Sequence, residues 1–198
     1  GDVYKRQIIF GKPGSGKGTQ ASIIKDKYSL QHISTGDVFR KNMSSKTDLG
    51  LLAKGYMDKG ELVPDQVTID MLSHEIDNFL PCKGFIFDGF PRTTFQAKAL
   101  DNLLSSESQK IDLIIALDVD NTTLTERLLQ RGKSSGRSDD QSVEKINIRL
   151  QEYDNKTKPL VTFYMQQNKF FSVDGIGSLQ DITSRIIHVI DKYTNDWR

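Results

Sequence analysis

Short apolar runs closed by turn residues alternate along this chain with longer segments of helical spacing. Ile8 to Phe10, Gly84 to Asp88, Leu113 to Val119 and Phe170 to Asp174 each have the length of one buried strand, and Leu30 to Ile33 is a weaker fifth. Between them, Gln20 to Tyr28 has Ala and Ile at helical spacing. Thr47 to Lys59 and Pro64 to Leu80 predict two helices, separated by a break from Gly60 to Asp65 that pairs a glycine stop with a proline at a helix start. Further helices are expected over Thr94 to Leu104, from a cap at Asn121 or Thr122, from Val143 to about Gln167, and over Leu179 to Tyr193, where Ile182, Ile186, Ile187 and Ile190 share one face. Strand alternating with helix implies a parallel sheet covered on both faces, with ligands at the carboxyl ends of its strands.

The turn after the first run reads Gly11-Lys12-Pro13-Gly14-Ser15-Gly16-Lys17-Gly18-Thr19. Between a strand and a helix start, such a turn is a phosphate cradle. Its glycines let the backbone close on an anion, successive N–H groups point inward, and the helix N-terminus adds partial positive charge. Gly11, Gly16 and Lys17 meet the G-x4-G-K pattern, with Lys17 lying over the outer phosphates as a mobile charge. The residue after the lysine, usually Ser or Thr, is Gly18, so Thr19 or water must supply the oxygen that faces a magnesium ion. A glycine-rich surface turn with a chance lysine is the plain alternative; the flanking strand and helix favour the cradle.

Charged residues stand where other elements end. Asp88 closes a buried strand, the position from which a carboxylate holds hydrated magnesium beside a phosphate loop. Gly89 would admit a ligand to the backbone, and Arg92 would reach that ligand. Ser34 or Thr35 can cap a helix that carries Arg40. Arg127 and Arg131 lie four residues apart on one helix face and repel unless an anion lies between them. The polar stretch from Gly132 to Ser142 carries Arg137, Asp139 and Asp140 and reads as a mobile lid, with Arg149 on the next helix. The helix pair before it reads as a movable flap, or simply as packing. Alone, each residue is commonly a solvated side chain or a turn former. Together, Lys17 and at least five arginines, Arg40, Arg92, Arg127, Arg131 and Arg137, are tolerable side by side only with polyphosphates among them. The chemistry this suggests is phosphoryl transfer between nucleotides, by alignment, charge stabilisation and exclusion of water. No general base is required, because the acceptor is already a phosphate. His32, His74, His188, Trp197 and Cys82 have no paired partners in sequence and take structural roles.

Composition narrows the classes. At 198 residues the chain is expected to form a single domain over 1–198. Residues 1–7 neither continue the first strand nor cap a helix, and they are set apart as a non-native candidate. With 27 basic and 26 acidic residues the net charge is +1, which offers no general field for nucleic acid or a membrane surface. One cysteine excludes an internal disulfide and fits a reducing compartment. No apolar run has the length of a membrane span, so the expectation is a cytoplasmic protein, and with no apolar stripe left unaccounted for a monomer is the default.

From Ile8 onward the chain resembles the adenylate kinase family over nearly its whole length. The resemblance is carried by Gly11 to Gln20, Ser34-Thr35-Gly36-Asp37, Leu62-Val63-Pro64-Asp65, Asp88 to Thr93, Arg127 to Gly132 and Gly136-Arg137-Ser138-Asp139-Asp140. It implies a P-loop α/β fold of three layers, α/β/α, around a central five-stranded parallel sheet. It also implies a helical insert at 34–63 that binds the nucleoside monophosphate and a short lid at 131–141. The implied reaction is ATP + AMP ⇌ 2 ADP with Mg²⁺. Gly14, Ser15, Gly16, Lys17, Gly18 and Thr19 would hold ATP phosphates, with Arg127, Arg131 and Gly177 on the ATP side and Asp88 ordering the metal through water. Thr35, Arg40, Glu61, Leu62, Val63, Gly89, Phe90, Pro91, Arg92 and Gln96 would serve AMP, with Arg137 and Arg149 reaching across from the lid. Lys17, Arg92, Arg127, Arg131, Arg137 and Arg149 form the implied catalytic set. Lys12 replaces the small residue more usual in the family and adds a charge beside the phosphates, and the spacing from Asp140 to Arg149 is one residue longer than the family norm.

Uridylate-cytidylate kinase shares the fold and the Gly-Lys-Ser-Ser-Gly-Arg-Ser-Asp-Asp lid. It tends to have alanine at the position of Thr35 and asparagine at that of Thr93, and the amide of Gln96 can present both a donor and an acceptor to adenine. AMP is therefore the expected acceptor. A catalytically silent nucleotide-binding module is the alternative from another class, opposed by the full set of cations.

Overall fold

The computed structural model describes residues 5–12, 14–59, 61, 63–135 and 142–195. Among these, five strands form one sheet: β1 (Lys5–Gly11), β2 (Gln31–Ser34), β3 (Gly84–Asp88), β4 (Leu113–Asp118) and β5 (Phe170–Asp174). Their order is β2-β3-β1-β4-β5, and every neighbouring pair is parallel. The helices are α1 (Lys17–Tyr28), α2 (Thr35–Ser44), α3 (Asp48–Asp58), α4 (Asp65–Phe79), α5 (Thr94–Ser106), α6 (Asn121–Ser135), α7 (Val143–Met165) and α8 (Leu179–Asn195). The fold is α/β, as the alternating pattern predicts.

Successive side chains of a strand point to opposite faces, and here both faces are covered. Ile8 and Phe10 of β1 join Phe85, Phe87 and Ile114 in a cluster closed by α4, α5 and α7. Ile9 turns the other way, to Ile86, Ile115, Ile24 of α1 and Ile186 of α8. Burial on both sides is why these strands read as continuous apolar runs.

Two boundaries and one capping bond depart from the sequence reading. β1 begins at Lys5, where Lys5 pairs with Gly84 and Gln7 with both Ile86 and Leu113, so residues 5–7 do continue the strand. Parallel pairing is made by backbone groups and leaves no mark on the side-chain pattern. α6 is capped by Asp120, whose carboxylate accepts from Thr123 N at 2.7 Å, one residue before the expected Asn121. Ser34 occupies the N-cap of α2 without a side-chain capping bond.

α2 and α3 meet at very short range. Thr47 caps α3 by accepting from Gly50 N at 3.0 Å and donates to Asn42 Oδ1 at 2.7 Å. A Cβ on Gly50 would lie 2.1 Å from the Asn42 carbonyl oxygen, so only glycine fits there. Among the described residues no helix is long and apolar enough to cross a membrane.

Candidate active site

The carboxyl ends of β1 and β3 open into a cleft of about 690 Å³. Its floor is the phosphate loop between β1 and α1. Ser15 N donates to Lys12 O at 3.0 Å, and Gly14 and Gly16 take φ values of 80° and 87°, a left-handed turn that glycine adopts without strain. The loop is packed hard from below: a Cβ on Gly11 would meet Ser15 Oγ at 2.5 Å, and one on Gly14 would meet Leu128 Cγ at 2.9 Å. Ser15 Oγ is buried and, among the described residues, lacks a hydrogen-bond partner, a hydroxyl left over in a loop shaped for an anion.

Asp88 ends β3 beside this loop and is 6% exposed. Lys17 Nζ lies 2.5 Å from its Oδ1, and His32 Nε2 of β2 lies 3.2 Å from its Oδ2. Burial works to raise the Asp88 pKa, but the His32 hydrogen bond and the charge and hydrogen bond of Lys17 outweigh it and hold the carboxyl below the usual carboxylate range. His32 thus has a partner that the sequence did not reveal. The Thr35 hydroxyl donates to Asp88 O at 3.4 Å, which ties the start of α2 to the end of β3.

The arginines arrive from separate elements. Arg40 comes from α2 and pairs with Asp37; Arg92 precedes α5 and donates from Nε to Gly89 O at 2.8 Å. Arg127 donates to Gly14 O at 3.5 Å and to Gly175 O at 3.2 Å, which links α6, the phosphate loop and the turn after β5. These three, with Arg131 of α6 and Arg149 of α7, line the one cleft. So do Gly14, Gly16, Lys17, Gly18, Thr19, Asp88, Gly89 and Pro91.

Other expected residues lie off the lining. Phe90 is 2% exposed and packs into the core with the α4 and α5 side chains. Gln96 is buried with both ends of its amide engaged, accepting from Arg92 N at 2.8 Å and donating to Asp65 Oδ1 at 2.8 Å. Glu61 is exposed, Val63 packs against the core, and Gly177 lies near Arg185 and Asp181. Leu62, Arg137, Asp139 and Asp140 are outside the described residues. Lys12 directs its ammonium to Asn121 Oδ1 at 3.0 Å and Asp154 Oδ1 at 3.4 Å, the acceptors within its reach, and not into the cleft.

Glu152, Tyr153, Lys156 and Thr157 form a wall that sequence reading missed. They follow Arg149 at helical intervals of three and four, so Arg149 and the period of α7 were signal enough. Burial pushes the Tyr153 hydroxyl up to about 12, against a lowering hydrogen bond with Thr157, so it stays a neutral phenol at the cleft wall. Seven cationic side chains line the cleft against two acidic ones, Asp88 and Glu152. That imbalance suits ligands bearing several negative charges.

Residues 9–169 match the family model described as adenylate kinase. Over 184 residues, 93% of this chain and 97% of the relative, the chain is 56% identical to an adenylate kinase of Flavobacterium psychrophilum. It is 53% identical over the same shares to an adenylate kinase of Flavobacterium johnsoniae. A third relative, an adenylate kinase of Parabacteroides distasonis, is 47% identical over 93% of this chain and 96% of its own length.

Proposed function

Because the chain belongs to the adenylate kinase family, we propose that its cleft takes ATP and AMP together and passes the terminal phosphoryl group directly from one to the other. The protein is a nucleoside monophosphate kinase, a phosphotransferase. In the transfer, the bond from the γ-phosphorus to the β,γ-bridging oxygen of ATP breaks, a phosphate oxygen of AMP forms the new bond, and both products are ADP. The acceptor oxygen is already ionised, so no side chain has to remove a proton. The single observation that carries this reading is the convergence of Lys17, Arg40, Arg92, Arg127, Arg131 and Arg149 on one cleft.

The residues divide the work by position. The loop from Gly14 to Thr19 and Lys17 are read as the ATP phosphate site, with Arg127 and Arg131 beside it. Thr35, Arg40, Gly89 and Arg92 are read as the AMP side, and Arg149 as a bridge between the two. Guanidinium groups held by neighbouring elements meet the charge of the transferred group without reorganising, which is how such sites lower the barrier. Closing the cleft on two nucleotides would exclude water, a competing acceptor.

Mg²⁺ is the ion this reading expects with ATP, and the donor set fits it. Asp88 is a buried carboxylate, Thr19 brings a hydroxyl to the cleft, and the described residues include no group of three or more His, Cys, Asp or Glu able to hold a metal. Such a site suits an ion that keeps most of its waters and takes other ligands from phosphates. When bound, it supplies neutralising charge to the phosphates of the donor. We also read the protein as a cytoplasmic monomer.

Measuring ADP formation from ATP with AMP, CMP, UMP and GMP in parallel tests the assignment. AMP is expected to be the preferred acceptor of the four. Comparable rates with CMP and UMP would shift the reading to uridylate-cytidylate kinase, and saturable binding without turnover to a silent module.

A further inference from the structure

α6 and α7, which carry Arg127, Arg131 and Arg149, are joined to each other by a small apolar cluster of their own: Leu124 and Leu128 against Ile146 and Leu150, with Val119. This cluster is separate from the two that sandwich the sheet. α7 meets the main core farther along, at Leu160, Val161, Phe163 and Tyr164. α6 touches the phosphate loop directly, through Leu128 beneath Gly14 and the Arg127 bond to Gly14 O at 3.5 Å, and Lys12 adds contacts that reach both helices of the pair. Its ammonium donates to Asn121 Oδ1 at 3.0 Å, at the first residue of α6, and lies 3.4 Å from Asp154 Oδ1, about midway along α7. The same residue's carbonyl accepts from Ser15 N at 3.0 Å and so shapes the loop itself.

We propose that Lys12 is a positioning residue for phosphoryl transfer. Through Asn121 and Asp154 it fixes the phosphate loop against α6 and α7, so that Lys17 and the arginines of those helices address the same phosphates. A compact ammonium on a flexible stem is suited to bridging two oxygens on different elements. The Lys12 and Asp154 side chains are 29% and 46% exposed, so their attraction is screened and adds little to stability. Its value is in alignment, because small misplacements of reacting groups slow a reaction far more than they weaken binding. The inference rests on the transfer reading above.

The test is steady-state ADP formation from ATP and AMP by the full chain, with kcat and both KM values measured for six proteins. These are wild type, Lys12→Ala, Lys12→Arg, Asp154→Ala, the double variant Lys12→Ala with Asp154→Ala, and the exchange Lys12→Asp with Asp154→Lys. Lys12→Ala is expected to lower kcat about two- to fivefold, the size of one partly exposed ion pair expressed in the transition state, with both KM values little changed. Lys12→Arg and the exchange are expected to recover most of the loss. Combining Lys12→Ala with Asp154→Ala should cost little more than either alone, because the two act as a unit. Added salt should bring the wild-type kcat toward that of Lys12→Ala. Wild-type kcat in Lys12→Ala, losses that add in the double variant, or a change confined to KM would each overturn the inference. A wild-type protein without turnover would overturn the transfer reading and this inference with it, whereas an active wild type with an inert Lys12 overturns this inference alone.

Discussion

Lys17 Nζ lies 2.5 Å from Asp88 Oδ1, so the mobile cation of the phosphate loop rests on the carboxylate that ends β3. Two groups that face the same cleft thereby neutralise each other. On the transfer reading, an arriving phosphate would offer Lys17 another anion, and the exchange would leave Asp88 with His32 on its second oxygen and one oxygen for a hydrated ion.

Lys17→Met keeps much of the side chain's length and removes its charge. We expect kcat for ADP formation to fall about a hundredfold or more, the loss typical of removing one donor aimed at developing charge. Activity near the wild-type level in the same assay would contradict the role given to Lys17.

Gly50→Ala tests how the insert is assembled. The added Cβ would lie 2.1 Å from the Asn42 carbonyl oxygen and force α2 and α3 apart. A loss of about 1–3 kcal/mol is expected in urea unfolding, the usual cost of overpacking. Since α2 carries Thr35 and Arg40, the KM for AMP should rise more than that for ATP. Unchanged stability would show that the two helices part easily.

Asp101 gives a pH-dependent prediction away from the cleft. Burial raises its carboxyl pKa, against an opposing pull from Lys169. Above the folded-state pKa the group is charged in a setting that disfavours charge; below the unfolded carboxylate value of about 3.9 it is protonated in both states and the cost disappears. Asp101→Asn should therefore be more stable than wild type at pH 7, by about 0.5 kcal/mol in thermal or urea unfolding. The advantage should shrink as the pH falls toward that value. A gap that stays constant with pH would contradict the assignment.

The parts of this molecule that showed in its sequence are those set by local chemistry. Strands buried on both faces leave apolar runs, and a glycine-rich turn before a helix declares a phosphate loop. Lys5 to Gln7 stayed hidden because their pairing with Gly84 to Ile86 is made by the backbone. The chemistry of Gln96 was visible, but its engagement by Asp65 was not, because α4 and α5 meet only in three dimensions. The bridge from Lys12 to Asp154 is of the same kind. For Arg127 the sequence showed a charge in conflict with Arg131; its bonds to Gly14 O and Gly175 O depended on how α6 crosses the loop.

The central claim is that two nucleotides occupy one cationic cleft at the same time and exchange a phosphoryl group directly. Initial rates of ADP formation across a matrix of ATP and AMP concentrations test it most directly. Direct transfer predicts reciprocal plots that intersect, since both substrates must be bound before either product leaves. Parallel lines, the mark of a phosphorylated protein intermediate, or saturable binding of both nucleotides with no ADP formed, would contradict it.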